Sequence, residues 1–159
     1  MISLSEKTVL LDEIMPLIRE RLAAGENVQC SPGGTSMLPM LVPGRDSVVL
    51  SPVTGRLHKG DLPLYQRKNG QYILHRVITS GEAYTCCGDN QIDLEQGIEH
   101  AQIIAVVSSF TRKGKRISVD APTYRAYCRF WMASRPVRYV WRRGKGLLKR
   151  IARRCIGRE

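Results

Sequence analysis

The chain has 159 residues, 43% of them hydrophobic, which predicts one globular domain with appendages and enough residues for a hydrophobic core. No stretch approaches the roughly 20 consecutive apolar residues that a membrane-spanning helix needs, so a helical membrane span is excluded. The net charge of +11 is unevenly distributed: residues 1–111 carry 9 basic and 12 acidic residues, whereas residues 112–159 carry 16 and 2. A mildly acidic domain is thus joined to a strongly basic tail.

The first predicted element is an amphipathic helix from Thr8 to Ala24, inside an N-terminal segment of residues 1–26. Gly25 follows as a stop signal. The apolar residues that recur at helical spacing are Leu10, Leu11, Ile14, Leu17, Ile18 and Leu22. The first apolar run, Val9 to Leu11, is followed at once by two acidic residues, so we expect no secretory signal. We expect this helix to pack on the domain.

The central segment, residues 27–120, predicts a mainly β domain with short strands at regular spacing. The strand candidates are Val28–Ser31, Asp46–Leu50, Asp61–Gln66, Tyr72–Thr79, Ala83–Cys87, Ile103–Phe110 and Arg116–Val119. Asn69-Gly70 predicts a tight hairpin, and Lys113-Gly114-Lys115 predicts a second one. This pattern favours a small, twisted, partly closed β-barrel.

From residue 121 to residue 159 the pattern becomes helical, basic and rich in aromatic residues. One apolar stripe comprises Tyr124, Tyr127, Cys128, Trp131 and Met132, and we expect Pro136 to break it. A second stripe comprises Val137, Val140, Trp141, Leu148, Ile151, Ala152 and Cys155. Three interpretations stay open: helices packed on the barrel or on a partner, a helix lying on an anionic membrane surface, and, least favoured, nucleic-acid binding.

The five cysteines form no CxxC motif, and adjacent Cys86 and Cys87 would point to opposite faces of a strand. We therefore expect free thiols in a reducing compartment. The three histidines show no ligand spacing with the cysteines, so neither a metal site nor a cofactor is predicted. These expectations together describe a cytoplasmic or peripherally membrane-associated protein.

A hydroxyl, an imidazole and a carboxylate occur in chain order at Ser36, His75 and Asp89, each beside a strand-like segment. Serine is a weak nucleophile at neutral pH and needs a neighbouring base to take its proton. Histidine suits that role because its pKa lies near 7. The glycines before Ser36 allow a tight backbone approach. A catalytic Ser/His pair with an acidic third member is therefore predicted.

The strings SMLPML, KGDLPLY, LHRVI and CGDN resemble the characteristic boxes of the signal peptidase I superfamily, whose relatives include the LexA-type self-cleaving domains. The resemblance covers roughly Val28 to Thr111. Where most bacterial members carry a catalytic lysine, just before Arg76, this chain has His75. That pattern is similar to the archaeal and endoplasmic-reticulum type of signal peptidase, and to small bacterial signal-peptidase-like proteins that lack a transmembrane anchor.

This resemblance implies a serine endopeptidase that cleaves a leader or signal-like segment of a peptide or preprotein, with Ser36 as nucleophile and His75 as general base. In the archaeal and endoplasmic-reticulum enzymes the acid lies a few residues beyond the GDN box, where this chain has Asp93 and Glu95. We rank Asp89 first as the acid and Asp93 close behind it.

The resemblance also implies roles for the residues around Ser36. Met37 matches the methionine beside the family's serine and is expected to pack near the substrate pocket. The backbone N–H of Ser36 would serve the oxyanion hole. Many members add a hydroxyl two residues earlier, which is Gly34 here, so that contribution is absent or moves to Thr35.

Three alternatives remain. The first is a catalytically weak or inactive protein that binds peptides or membranes on the same fold. The second is a self-cleaving regulator, disfavoured because no DNA-binding domain precedes the barrel. The third is a Ser/Lys mechanism through Lys59, disfavoured because Lys59 lies outside the family's lysine position.

Overall fold

Two antiparallel sheets form the centre of the computed structural model, which describes residues 4–141 and side chains from residue 13 onward. The strands are β1 Val28–Cys30, β2 Ser47–Ser51, β3 Pro63–Gln66, β4 Tyr72–Leu74, β5 Arg76–Ser80, β6 Tyr84–Cys87, β7 Glu95–Ile98, β8 Ile103–Arg112 and β9 Lys115–Ser118. The helices are α1 Leu4–Ala23, a 3₁₀ turn His100–Gln102 and α2 Pro122–Ala133, after which residues 135–141 are helical again.

The larger sheet has the strand order β1-β2-β8-β3-β4, with β9 also paired to β8, and the smaller sheet has the order β5-β6-β7. Because every neighbouring pair is antiparallel, the two edge strands β1 and β4 run in the same direction. The prediction of a mainly β domain with an N-terminal helix is confirmed. Within residues 4–141 the sheets do not form a closed barrel.

Both predicted hairpins are present, since β3 pairs with β4 across Asn69-Gly70 and β8 pairs with β9 across Lys113-Gly114. Gly70 has a φ of +89° and Lys113 a φ of +50°, which are the left-handed conformations that such tight turns need. The turn residues thus set the register of two strand pairs.

The predicted strand Tyr72–Thr79 is wrong as a single element, because the chain divides there into β4 and β5. Leu74 pairs with β3 in the larger sheet, whereas Arg76 pairs with Cys87 in the smaller sheet. His75 occupies the crossing between them. The apolar pattern continues through the crossing, so local sequence offers no sign that the pairing partner changes.

Strand β7 was not among the predicted strands. Its sequence EQGI has weak strand propensity, and Gly97 takes a φ of +74°. The strand forms because β6 offers it a pairing edge, with Tyr84 opposite Ile98 and Cys86 opposite Glu95. Tertiary pairing rather than local preference therefore defines this element.

The main hydrophobic core lies between α1, the larger sheet and α2. Helix α1 buries Met15, Ile18 and Leu22 there, which confirms that this helix packs on the domain. Phe110 of β8 meets Tyr124 of α2 edge to face, with ring centroids 5.0 Å apart. A second, smaller core contains Leu57, Tyr65, Val77, Tyr84, Cys86 and Ile98.

Helix α2 buries Tyr124 and Cys128 against the domain, as the first predicted apolar stripe requires. The helix ends at Ala133, with Ser134 as its C-cap, and not at Pro136, which was predicted to break it. Pro136 instead lies in the first turn of residues 135–141, where a proline removes no helical hydrogen bond. The later residues of the second stripe, Leu148, Ile151, Ala152 and Cys155, lie outside the described residues.

Among the residues that the structure describes, no helix is both long and apolar enough to cross a membrane. Cys30, Cys86, Cys87 and Cys128 are free thiols.

Candidate active site

Ser36 lies in the turn that follows β1, half-buried at the wall of a cavity of about 480 Å³. Gly34 reverses the chain just before it with a φ of +69°, a conformation that favours glycine. The Asn90 N–H donates to the carbonyl of Ser36 at 2.7 Å, and the Asn90 amide donates to the carbonyl of Thr35 at 3.1 Å. The GDN turn, Gly88 to Asn90, therefore holds the serine turn in place.

Gly88 lies between the serine and the histidine. A Cβ atom at Gly88 would stand 3.1 Å from Nε2 of His75, 3.1 Å from Cβ of Ser36 and 2.7 Å from the Ser36 carbonyl. Nε2 of His75 and Cβ of Ser36 both lie 3.1 Å from this one position, so the two side chains are close neighbours. Glycine at this position lets the imidazole of His75 and the side chain of Ser36 approach each other, a requirement that no local sequence pattern indicates.

The other imidazole nitrogen of His75 faces oxygen atoms. Nδ1 lies 3.1 Å from Oε1 of Glu95 and 3.3 Å from the hydroxyl of Tyr65. Tyr65 donates its own proton to Oε2 of Glu95 at 2.9 Å, so its oxygen presents a lone pair to Nδ1. Two acceptors at Nδ1 favour the tautomer with the proton there, which leaves the lone pair on Nε2 for the Ser36 side.

Glu95 is held by two further groups. Arg67 donates through Nε to Oε2 at 2.9 Å and makes a second contact with Oε1, so the pair is bidentate. Burial alone would raise the pKa of Glu95, but the hydrogen bonds from Arg67 and Tyr65 outweigh it and lower the pKa below its ordinary value. Burial also raises the pKa of Tyr65, which keeps its hydroxyl protonated. The carboxylate beside His75 is thus ionised and fixed in orientation.

His75 itself is 1% exposed, and this burial lowers its pKa below the ordinary value of 6.5, with Glu95 opposing the shift only in part. At neutral pH the imidazole is therefore uncharged, and its Nδ1–H donates a hydrogen bond to the carboxylate of Glu95. An uncharged imidazole with a free Nε2 is the form that can accept a proton.

Arg76, the next residue, turns to the opposite side and is fully buried. Its guanidinium makes two parallel bonds of 2.8 Å to the carboxylate of Asp89. Further bonds reach the Gly60 carbonyl at 3.0 Å, the Tyr124 hydroxyl at 3.0 Å and Cys128 Sγ at 2.9 Å. Burial opposes the charge on Arg76, but the Asp89 carboxylate outweighs it and raises the pKa, so the arginine stays charged.

The C-terminal helices also contact Asp89, through its backbone carbonyl. Trp131 donates its indole N–H to the Asp89 carbonyl at 3.2 Å, and Arg138 donates to that carbonyl at 3.1 Å. The Arg138 guanidinium also stacks 3.6 Å from the centre of the Trp131 ring. Through Asp89, these helices are connected to the GDN turn that contacts Ser36.

The structure separates the three candidate acids. Asp89 pairs with Arg76, and Asp93 is exposed, with its backbone carbonyl accepting from Cys87 Sγ at 3.2 Å. Glu95 is the carboxylate that contacts Nδ1 of His75, because the pairing of β7 with β6 places Glu95 opposite Cys86. The sequence signal that could have identified Glu95 was the position of the acid, a few residues beyond the GDN box, in the enzymes that the chain resembles.

The remaining candidates fall in different surroundings. Met37 is 4% exposed, packs in the main core and also lines the cavity at Ser36, and Thr35 is exposed and lines the same cavity. Lys59 lies in an exposed turn and lines a separate cleft against α2. Within the described residues, Lys59 is therefore not part of the cavity that contains Ser36.

The cavity at Ser36 connects the two edges of the larger sheet. Its walls include Cys30 of β1 on one side and Tyr72–Leu74 of β4 on the other. Its lining is mostly apolar and includes Ile18, Val48, Leu50 and Leu64. Among the described residues, β1 and β4 are the edge strands of the larger sheet and have a paired neighbour on one side only.

Comparison of the chain with protein-family models, with curated proteins and with solved structures found no match. Within the part of the chain that the structure describes, no group of three or more His, Cys, Asp or Glu side chains has the arrangement of a metal site.

Proposed function

We propose that this protein is a serine endopeptidase similar to the signal peptidases of the archaeal and endoplasmic-reticulum type. Ser36 is the nucleophile, His75 the general base, and Glu95 the carboxylate that orients the imidazole. One observation carries this proposal: Nε2 of the uncharged His75 and the side chain of Ser36 both lie close to Gly88, while Nδ1 of His75 faces the ionised Glu95. This order of hydroxyl, imidazole and carboxylate is the arrangement that activates a serine.

In the proposed reaction, Ser36 Oγ attacks the scissile carbonyl carbon and Nε2 of His75 takes the hydroxyl proton. Glu95 stabilises the imidazolium that results. The tetrahedral intermediate then collapses, the peptide C–N bond breaks, and His75 returns its proton to the leaving amine. Water, activated by the same imidazole, then hydrolyses the acyl-serine ester and restores the hydroxyl.

The substrate in this proposal is an extended leader or signal-like segment. Edge strands β1 and β4 run in the same direction on either side of the cavity, so one peptide strand could pair antiparallel with both. The mostly apolar lining suits apolar side chains close to the scissile bond. Backbone pairing supplies affinity, and the pocket supplies selectivity.

The test is covalent labelling of the full-length protein with a fluorophosphonate probe, read by intact mass. We expect one adduct on the wild type and none on Ser36→Ala. Ser31→Ala is the matched control, because Ser31 is exposed and lines the same cavity. Cleavage of a library of leader-like peptides should follow the same pattern. Undiminished labelling and cleavage in Ser36→Ala would contradict the proposal, and a properly folded wild type that neither reacts nor cleaves would favour the non-catalytic alternative.

A further inference from the structure

The outer face of the C-terminal helices carries a set of exposed apolar side chains, Phe130, Val137, Val140 and Trp141, called here the outer apolar face. Their exposed fractions are 70%, 72%, 70% and 61%. Ser134 N–H bonds the Phe130 carbonyl and Arg138 N–H bonds the Ser134 carbonyl, so helical spacing continues across the break. Residues 130, 137 and 141 then follow one another at i, i+7 and i+11 and share one side.

The side of the helices that faces the domain is already occupied by other residues. Tyr124 and Cys128 are buried there, and Trp131 and Arg138 contact Asp89. The helices therefore do not need the outer apolar face for docking on the sheets. A large apolar surface displayed on a helix that is already docked is typical of an interaction site.

The helical segment that carries this face has charge of one sign, although Arg125 pairs with Asp120 just before it. Residues 122–141 contain four arginines and no acidic residue, and the following 18 residues of the sequence add eight basic residues and one glutamate. On α2, Arg125 and Arg129 are exposed. An apolar face flanked by cationic side chains, with a tryptophan at its end, has the chemistry of a helix that lies in a membrane interface.

We propose that the outer apolar face binds the surface of an anionic lipid bilayer. Phe130, Val137 and Val140 enter the boundary between headgroups and acyl chains, Trp141 lies at headgroup depth, and the exposed arginines of α2 contact lipid phosphates. Lipid is favoured over nucleic acid because phosphate contacts would use the arginines and leave the apolar side chains in water. This proposal does not depend on the catalytic one.

The experiment is flotation of full-length protein with vesicles of phosphatidylcholine alone or with about one third phosphatidylglycerol, at low and high salt. We expect partition onto anionic vesicles, little onto neutral ones, and release by salt. The Phe130→Ser/Val137→Ser/Val140→Ser variant keeps every charge and should partition about tenfold less strongly. Leu17→Ser on α1, where Leu17 is 55% exposed, is the matched control and should behave as the wild type.

A second measurement locates the contact. Tryptophan emission should shift to the blue and be quenched by brominated lipids on anionic vesicles, and Trp141→Phe should lose most of both effects. Equal partition of the triple-serine variant and the wild type, or no spectral change, would overturn the proposal. So would binding only to RNA or DNA, or formation of dimers that the triple variant abolishes.

Discussion

His75 and Arg76 are neighbours in the chain, both buried, and each faces one carboxylate, yet their surroundings differ. His75 contacts Glu95, which also binds Arg67 and is partly exposed to solvent. Arg76 forms a bidentate pair with Asp89, which is 6% exposed, and also donates a hydrogen bond to the hydroxyl of Tyr124 on α2. One pair is a titratable base beside a carboxylate, and the other is a permanent ion pair.

This difference distinguishes a pair that can take part in proton transfer from a pair that stabilises the fold. An arginine stays protonated at physiological pH and cannot act as a base, so the Arg76–Asp89 pair holds the GDN turn and α2 in place. An uncharged imidazole with one fixed nitrogen can accept a proton on the other. Changes at Glu95 should therefore affect activity far more than stability, and changes at Asp89 should do the reverse.

The largest effect is expected for Glu95→Gln. The amide could present its N–H group to Nδ1 and favour the wrong tautomer of His75, so kcat/KM should fall about 10³- to 10⁴-fold. Stability should fall by only about 1 kcal/mol, because Arg67 keeps one partner. Asp93→Asn is the control, since Asp93 is exposed, and should match the wild type. Equal and small losses in both variants would reduce the site to a Ser/His dyad.

Next in size is the effect of breaking the buried pair. Asp89→Asn or Arg76→Met leaves one buried charge without its partner and should lower the free energy of unfolding by about 3–5 kcal/mol. Urea denaturation followed by circular dichroism measures this. The double variant should recover a large part of the loss, because no unpaired charge remains. Single losses below about 1 kcal/mol would contradict the structural role.

Gly88→Ala should have a smaller but distinct effect. The added methyl would stand 2.7 Å from the Ser36 carbonyl, so the serine turn and the imidazole must move apart. A displacement of about 1 Å between a nucleophile and its base costs about 10²-fold in kcat. Gly33→Ala is the control, because a Cβ there meets nothing within 4 Å. An active Gly88→Ala enzyme would contradict the close approach of Ser36 and His75.

The smallest effect is on the pH profile. Protonated His75 cannot accept the serine proton, so kcat/KM should rise with pH, with a midpoint below about 6.5 because burial lowers the pKa of His75. Since the unfolded chain protonates this residue at higher pH, stability should decrease as pH falls below about 6.5. Lys59→Ala should leave the profile unchanged. A midpoint well above 8 that Lys59→Ala abolishes would instead indicate a Ser/Lys mechanism.

Much of the local structure could be predicted from the sequence. Helical spacing predicted the N-terminal helix, and Asn69-Gly70 predicted a hairpin that the structure contains. These features depend on neighbours within a few residues, which is where backbone preferences act. The order of hydroxyl and imidazole at Ser36 and His75 was also readable from the chain, and the structure brings both to Gly88.

The identity of the carboxylate on His75 could not be predicted in the same way. Asp89 was ranked first as the carboxylate that completes the chain order of serine, histidine and aspartate, but its carboxylate contacts Arg76. Glu95 reaches His75 only because β7 pairs with β6, and β7 has little strand propensity of its own. The distance between two side chains on different strands depends on register, which no local pattern records.

The amino-acid sequence by itself thus determined the kinds of group available: one serine in a glycine-rich turn, one histidine in an apolar run, several carboxylates and a basic tail. Only the tertiary structure decided which carboxylate serves which base and where the chain crosses between sheets. The physical reason is that burial and pairing arise between segments distant in the chain. Burial leaves His75 uncharged beside Glu95, and pairing between distant segments places Asp89 against Arg76.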